Sequence, residues 1–307
     1  MGQYWTIFDL DNRTSLGYLG KLGEGLFGQY GCSRLITLTL RLRPKNSSVA
    51  AGYLCGTRGL SKLPTELVYM ILELVDHLPD ALALVMTNKM FYNLGFTHIQ
   101  KRLIKVRTPC FGNQLICLGD YADDDDLPDA ITKRELEKIP IWQKDHPYFS
   151  RRGPCNYYTY GYAWAMVTQE WDEYDMDYVQ NRGQWYRALE DILELETLCA
   201  EELVLCNLTK REYADGAEAV RRVKHEELAS DVSYMLGAIL RCRICWSWDD
   251  SIAMARNPYD IHKGVWAGDR FEVTTKDRFM ASVEKTQKEW KDVTKEVVKE
   301  VRAYYVL

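Results

Sequence analysis

The stretch that most limits how this chain can fold is Leu60 to Phe91, and within it the run from Pro64 to Leu78. Pro64 is suited to the first turn of a helix, because the amide it lacks has no intrahelical partner there. Glu66 follows close to the positive end of the helix dipole. From Leu67 onward the apolar residues do not form a single stripe. Leu67, Ile71, Leu74, Val75 and Leu78 follow helical spacing on one face, Val68 and Leu72 widen that face, and Met70 is placed well round the cylinder. Only Glu66, Glu73, Asp76 and His77 keep the run in water. A short helix with so much apolar circumference requires burial on more than one side. It either lies deep in a large domain, or packs on short neighbours and offers the remainder to a partner.

The pattern Leu63-Pro64, Glu66-Leu67, Ile71-Leu72 and Leu74, then Pro79-Asp80-Ala81-Leu82, then Thr87-Asn88-Lys89 with Phe91, resembles an F-box. The resemblance implies a three-helix unit over residues 59–100. It also implies docking onto the SKP-family linker protein of a cullin-RING ubiquitin ligase. Carried onto this sequence, the partner-binding residues are Leu63, Pro64, Glu66, Leu67, Ile71, Leu72, Leu74 and Leu82. The second reading is a stand-alone α+β ligand-binding or structural protein in which these helices are core only.

A chain of 307 residues has room for about two domains. An apolar share of 47% supplies packed cores. The net charge of −5 disfavours nucleic acid as a partner, since phosphate binding needs a basic face. No apolar run approaches the roughly 18 residues that span a bilayer, and the start Met1-Gly2-Gln3-Tyr4-Trp5-Thr6 has no apolar signal core. The nine cysteines are odd in number and read as reduced thiols. The expectation is therefore a cytoplasmic or nuclear protein that takes neither membrane nor nucleic acid.

Along the chain, Tyr4 to Leu10 suits a strand and Asp11-Asn12-Arg13 a turn. Gly17, Gly20, Gly23, Gly25 and Gly28 read as a loop. That loop contains a formal GxGxxG, but without the preceding buried strand and following helix that a dinucleotide site needs. Leu35–Leu42 is a strand or a short buried helix, and Gln114–Leu118 a strand ending at Gly119-Asp120-Tyr121. Met1-Gly2-Gln3-Tyr4-Trp5, Gly119-Asp120-Tyr121 and Trp266-Ala267-Gly268-Asp269-Arg270 resemble a widespread family of small proteins, a likeness that implies a fold and no reaction. It joins residues 1–55, about 110–122 and 264–307 into one discontinuous unit. A middle region, 126–263, is then separate: aromatic-rich over 140–185, helical from Trp185 to Cys206, with a capping box at Thr209–Glu212 and a helix from Leu228 to about Trp246. Asp277 to Tyr304 reads as a last amphipathic helix. The fold class expected is α+β, predominantly helical, with the three-helix unit and a small sheet formed by N-terminal, central and C-terminal strands.

The sequence offers little for catalysis. Five histidines show no arrangement, and there is no GxSxG elbow, HExxH or P-loop. Asp123–Asp126 lacks the glycine and glutamate of a calcium loop. Cys242-Arg243-Ile244-Cys245 has no second ligand pair and falls late in a helical pattern, so it reads as packing rather than zinc or redox chemistry. Asp120, Asp269 and Arg270 read as an ion pair bracing two loops. No enzyme activity, cofactor or metal is expected. The partners expected are the linker and an unknown target protein, held by the aromatic middle region, the discontinuous unit, or both.

Overall fold

The computed structural model describes residues 3–12, 14–43, 62–75, 78–87, 89–119, 121, 128, 131, 198–223, 231–252, 254 and 258–305. In chain order the elements are β1 (Tyr4–Asp9), β2 (Thr14–Lys21), α1 (Leu22–Gly25), α2 (Gln29–Thr39), α3 (Thr65–Leu74), α4 (Leu78–Met86), α5 (Lys89–Arg107) and β3 (Leu115–Gly119). Then follow β4 (Leu203–Asn207), β5 (Glu212–Asp215), α6 (Gly216–Val223), α7 (Val232–Ile244), β6 (Cys245–Trp246), β7 (Phe271–Thr275), α8 (Lys276–Thr286), β8 (Lys291–Asp292) and α9 (Thr294–Tyr305). The fold is α+β and predominantly helical. It divides into a larger unit (1–41, 110–174 and 198–307) and a smaller one (42–109 and 175–197).

The larger unit holds two four-stranded sheets, in the orders β2-β1-β3-β6 and β7-β4-β5-β8. In the first, β1 is antiparallel to both β2 and β3, and β3 is parallel to β6. In the second, β4 is antiparallel to β5 and β7, and β5 is parallel to β8. The N-terminal strands β1 and β2 pair with the central strand β3 in the first sheet. The C-terminal strand β7 pairs with β4, and only a short stretch, Gln114 opposite Arg270, bridges toward β3. Trp5, Ile7, Leu115 and Cys117 of the first sheet share one core with Leu205, Phe271 and Val273 of the second, and with Met235, Ile239, Val297 and Val301 from the helices. Leu203, Ile252 and Ile261 lie in this core too.

Several local expectations also change. Gly17 and Gly20 lie in β2 rather than in a loop. Leu203–Cys206 is strand, buried on both faces: Leu203 and Leu205 face the main core, while Val204 and Cys206 meet Phe279 of α8. Such a strand loses its alternation and reads like helix. Thr209–Glu212 is a turn with Arg211 at φ 56°, and the helix that follows begins at Gly216, where Asp215 accepts from the Glu218 amide at 3.0 Å. The expected last helix is two, because Gln287 closes α8 in the left-handed conformation at φ 51° and β8 intervenes. The aromatic stretch 140–185, Asp120 and Asp123–Asp126 lie outside the described residues.

In the smaller unit α3, α4 and α5 close round Val68, Leu72, Ala81, Val85, Phe91 and Ile99. Gly95 of α5 sets how close they come: a Cβ there would lie 2.5 Å from Val85 Cγ2 and 2.7 Å from Leu72 Cδ1. Phe91 and Ile99 lie on the same side of α5, four residues to either side of Gly95, which is the helical repeat that lets one face meet two neighbours.

Candidate functional site: the outer face of helix α3

Helix α3 starts one position later than a proline at its first turn would place it. Pro64 is the N-cap, and its carbonyl accepts from the amides of Leu67 at 3.1 Å and Val68 at 3.2 Å. Glu66 lies in the first turn, as the dipole favours. At the other end the Arg102 guanidinium of α5 donates to the Leu72 carbonyl at 3.0 Å. One of the carbonyls that a helix C-terminus leaves without an intrahelical donor is so satisfied. Rotation of α3 about its axis is fixed by this bond and by the Leu72 contact over Gly95.

With that rotation set, the helix has two apolar faces. Val68 and Leu72 are buried in the three-helix core. On the other face Leu67 is 43%, Met70 56% and Leu74 78% exposed, with Ile71 half-buried between the faces. Leu67, Met70 and Leu74 are three, four and seven residues apart, so they form one stripe. Of the residues expected to dock, Pro64 and Glu66 are exposed and Leu63 is half-buried. Leu72 and Leu82 are corrected: both are core, at 0% and 5% exposure, and have no surface to offer a partner. Met70, placed well round the cylinder from the sequence alone, belongs to the stripe. Counting three residues from Leu67 and four back from Leu74 is the signal that finds it.

A second surface lies in the larger unit. The start of β1, the end of β3 and the end of β6 come together, with Trp5 opposite Gly119 and Leu118 opposite Trp246. Gln3, fully buried there, ties three segments: its amide donates to the Ser251 carbonyl and its side-chain nitrogen to the Asp249 carbonyl, while its side-chain oxygen accepts from Ser247 and from the Tyr121 amide. Tyr4, Tyr121 and Trp248, each attached to one of these segments, are exposed. Tyrosine and tryptophan combine wide contact area with a polar handle, which suits recognition.

The remaining polar clusters are structural. Arg243 of α7 is buried over the Trp266 ring, 4.7 Å from guanidinium carbon to ring centroid, and donates to Glu296 and to both oxygens of Glu300 at 2.7 and 2.8 Å. Burial works against its charge, but the bonds and charges of Glu300 and Glu296 outweigh it and hold the pKa above the ordinary arginine value. Arg241 donates to the Gly25 and Leu26 carbonyls. A Cβ at Gly31 in α2 would lie 2.2 Å from its guanidinium, so that glycine makes room for the arginine.

Asp269 and Arg270 do not pair with each other. Asp269 accepts from Asn207 at 2.8 Å, and its burial raises its pKa against the opposing effects of Asn207 and Lys210; Arg270 pairs with Asp11 at 3.0 Å. The thiols of Cys242 and Cys245 are buried and pushed well above the ordinary cysteine value by that burial, which suits packing.

Among the described residues no group of three or more His, Cys, Asp or Glu is placed to hold a metal ion, and no helix is long and apolar enough to cross a membrane. Comparison of the chain with protein-family models, with curated proteins and with solved structures gives no match.

Proposed function

We propose that this protein is an F-box-like adaptor. Leu67, Met70 and Leu74, with Ile71 and Leu63 at their margin, dock on the SKP-family linker of a cullin-RING ubiquitin ligase, and the larger unit holds a target protein. The observation that carries the reading is the division of α3. A helix that packs Val68 and Leu72 inward still presents three large apolar side chains to solvent on its other side. Contiguous exposed apolar side chains on a folded protein mark interaction sites, and two of the three, Leu67 and Leu74, are positions that the sequence shares with F-boxes. The adaptor works by proximity and performs no chemistry itself. Its setting is the cytoplasm or nucleus, where such ligases act. On the larger unit, the exposed Tyr4, Tyr121 and Trp248 are the described residues best suited to a target.

Co-purification with the linker tests the reading. The wild type is retained. Leu67→Ala/Leu74→Ala removes two side chains from the centre of the interface and weakens retention at least about tenfold, the loss expected for central apolar anchors. Equal retention of both proteins, or of neither, overturns the adaptor and leaves the stand-alone α+β protein.

A further inference from the structure

We infer that Met70 is an oxidation site that switches the docking face of α3 off. The inference rests on the adaptor reading. Met70 lies between Leu67 and Leu74 on the exposed stripe, and at 56% it is more exposed than Met86 at 42% or Met280 at 46%. Met235 is fully buried. A methionine is apolar enough to serve in such an interface, and its unbranched thioether adapts to the surface it meets. It is also the one side chain of the stripe that a two-electron oxidant converts to a polar group.

The oxidant is hydrogen peroxide. A lone pair of the Met70 sulfur attacks one peroxide oxygen, the O–O bond breaks, and an S–O bond forms. The sulfide is oxidised by two electrons to the sulfoxide, and the second peroxide oxygen leaves as water after proton transfer. Neither Leu67 nor Leu74 can follow this path. The sulfoxide oxygen is a strong acceptor placed between the apolar side chains of Leu67 and Leu74. Docking would bury it against apolar groups without a donor, and that is unfavourable. In the undocked protein Met70 is open to peroxide, while a docked linker covers it. The bound state is thereby protected and the free state is withdrawn from binding. Enzymatic reduction of the sulfoxide restores the thioether.

The test uses the full chain, treated with hydrogen peroxide, mapped by peptide mass, and then measured against the linker by surface plasmon resonance. Met70 gains one oxygen ahead of Met235. Oxidised wild type binds about tenfold or more weakly than the untreated protein, by the desolvation of one unpaired acceptor. Met70→Leu, close in volume and still apolar, has no thioether to oxidise, so its own affinity is the same before and after peroxide. Methionine sulfoxide reductase returns oxidised wild type to full binding. Two results overturn the inference while leaving the adaptor intact: undiminished binding after Met70 is shown to be oxidised, or an equal loss in Met70→Leu, which traces the effect to Met86 or another site. Failure of the untreated wild type to bind overturns the adaptor reading and this inference with it.

Discussion

Helix α7 buries every residue except Ser233, whereas α3 buries only Val68 and Leu72, although α3 is the more apolar of the two. Composition alone ranks them the wrong way round. Each helix is buried according to what its own unit can put round it. The larger unit brings α2, α6 and α9 against α7, enough surface to cover even Arg241 and Arg243 and to supply each with acceptors. Among the described residues the smaller unit brings α4 and α5 against α3, and two helices cannot cover a third on all sides. Arg243 of α7 finds carboxylate acceptors inside and Arg241 two carbonyls, although the Arg241 Nε has no partner among the described residues, and the apolar surplus of α3 remains outside. An apolar surplus held in solvent has no folding rationale, which is why it carries the functional reading.

The largest expected effect comes from breaking the satisfied side of this comparison. Arg243→Met keeps most of the side-chain length over Trp266 and removes the charge. Glu300, mostly buried, and Glu212, 3.9 Å from the guanidinium, then lose their common cation. A buried pair with one partner removed costs about 3–5 kcal/mol. Equilibrium urea unfolding of the larger unit is expected to show a loss in that range. A cost near zero would mean that the glutamates turn to water, and that α7 does not need its arginine satisfied.

Next in size is the inward face of α3. Leu72→Ala removes a fully buried side chain that Gly95 and Val85 enclose, and such truncations cost about 2–5 kcal/mol. Hydrogen exchange at Ile99 and Leu103 in α5 reads the smaller unit separately from the larger one. Faster exchange there, with β1 and β4 unchanged, is the expected outcome. Unchanged protection would show that Leu72 is not part of a working core.

These two faces of α3 also mark the limit of what the residues alone convey. Periodicity gives the helix, and Pro64 with Glu66 gives its start to within one residue. It cannot say which apolar face turns inward, because Val68 and Leu72 look as fit for docking as Leu67 and Leu74. That choice depends on Gly95, far along the chain, whose missing side chain admits Leu72. The strands β1 and β3 are legible, since apolar residues bounded by turn residues define them. By contrast β4 is not: burial on both faces erases its alternation, and the acidic residues before it extend an apparent helix. The division between α8 and α9 is hidden for another reason. Val283, Trp290, Val293 and Val297 keep helical spacing across a break that Gln287 makes by its backbone conformation alone.

The smallest expected effect is the one that separates the two faces most sharply. Leu74→Ala lies two residues from Leu72 on the same helix, and the chemistry removed is identical. Leu74 is 78% exposed, so it leaves no cavity and little packing behind. Alanine is at least as good a helix former as leucine. Stability is therefore expected to change by no more than about 0.5 kcal/mol, the usual range for a surface substitution, with unaltered exchange in α5. The same variant, combined with Leu67→Ala, is expected to lose the linker. A loss of stability comparable with that of Leu72→Ala would show that the stripe is packed against part of this chain, and the surplus would then belong to folding rather than to a partner.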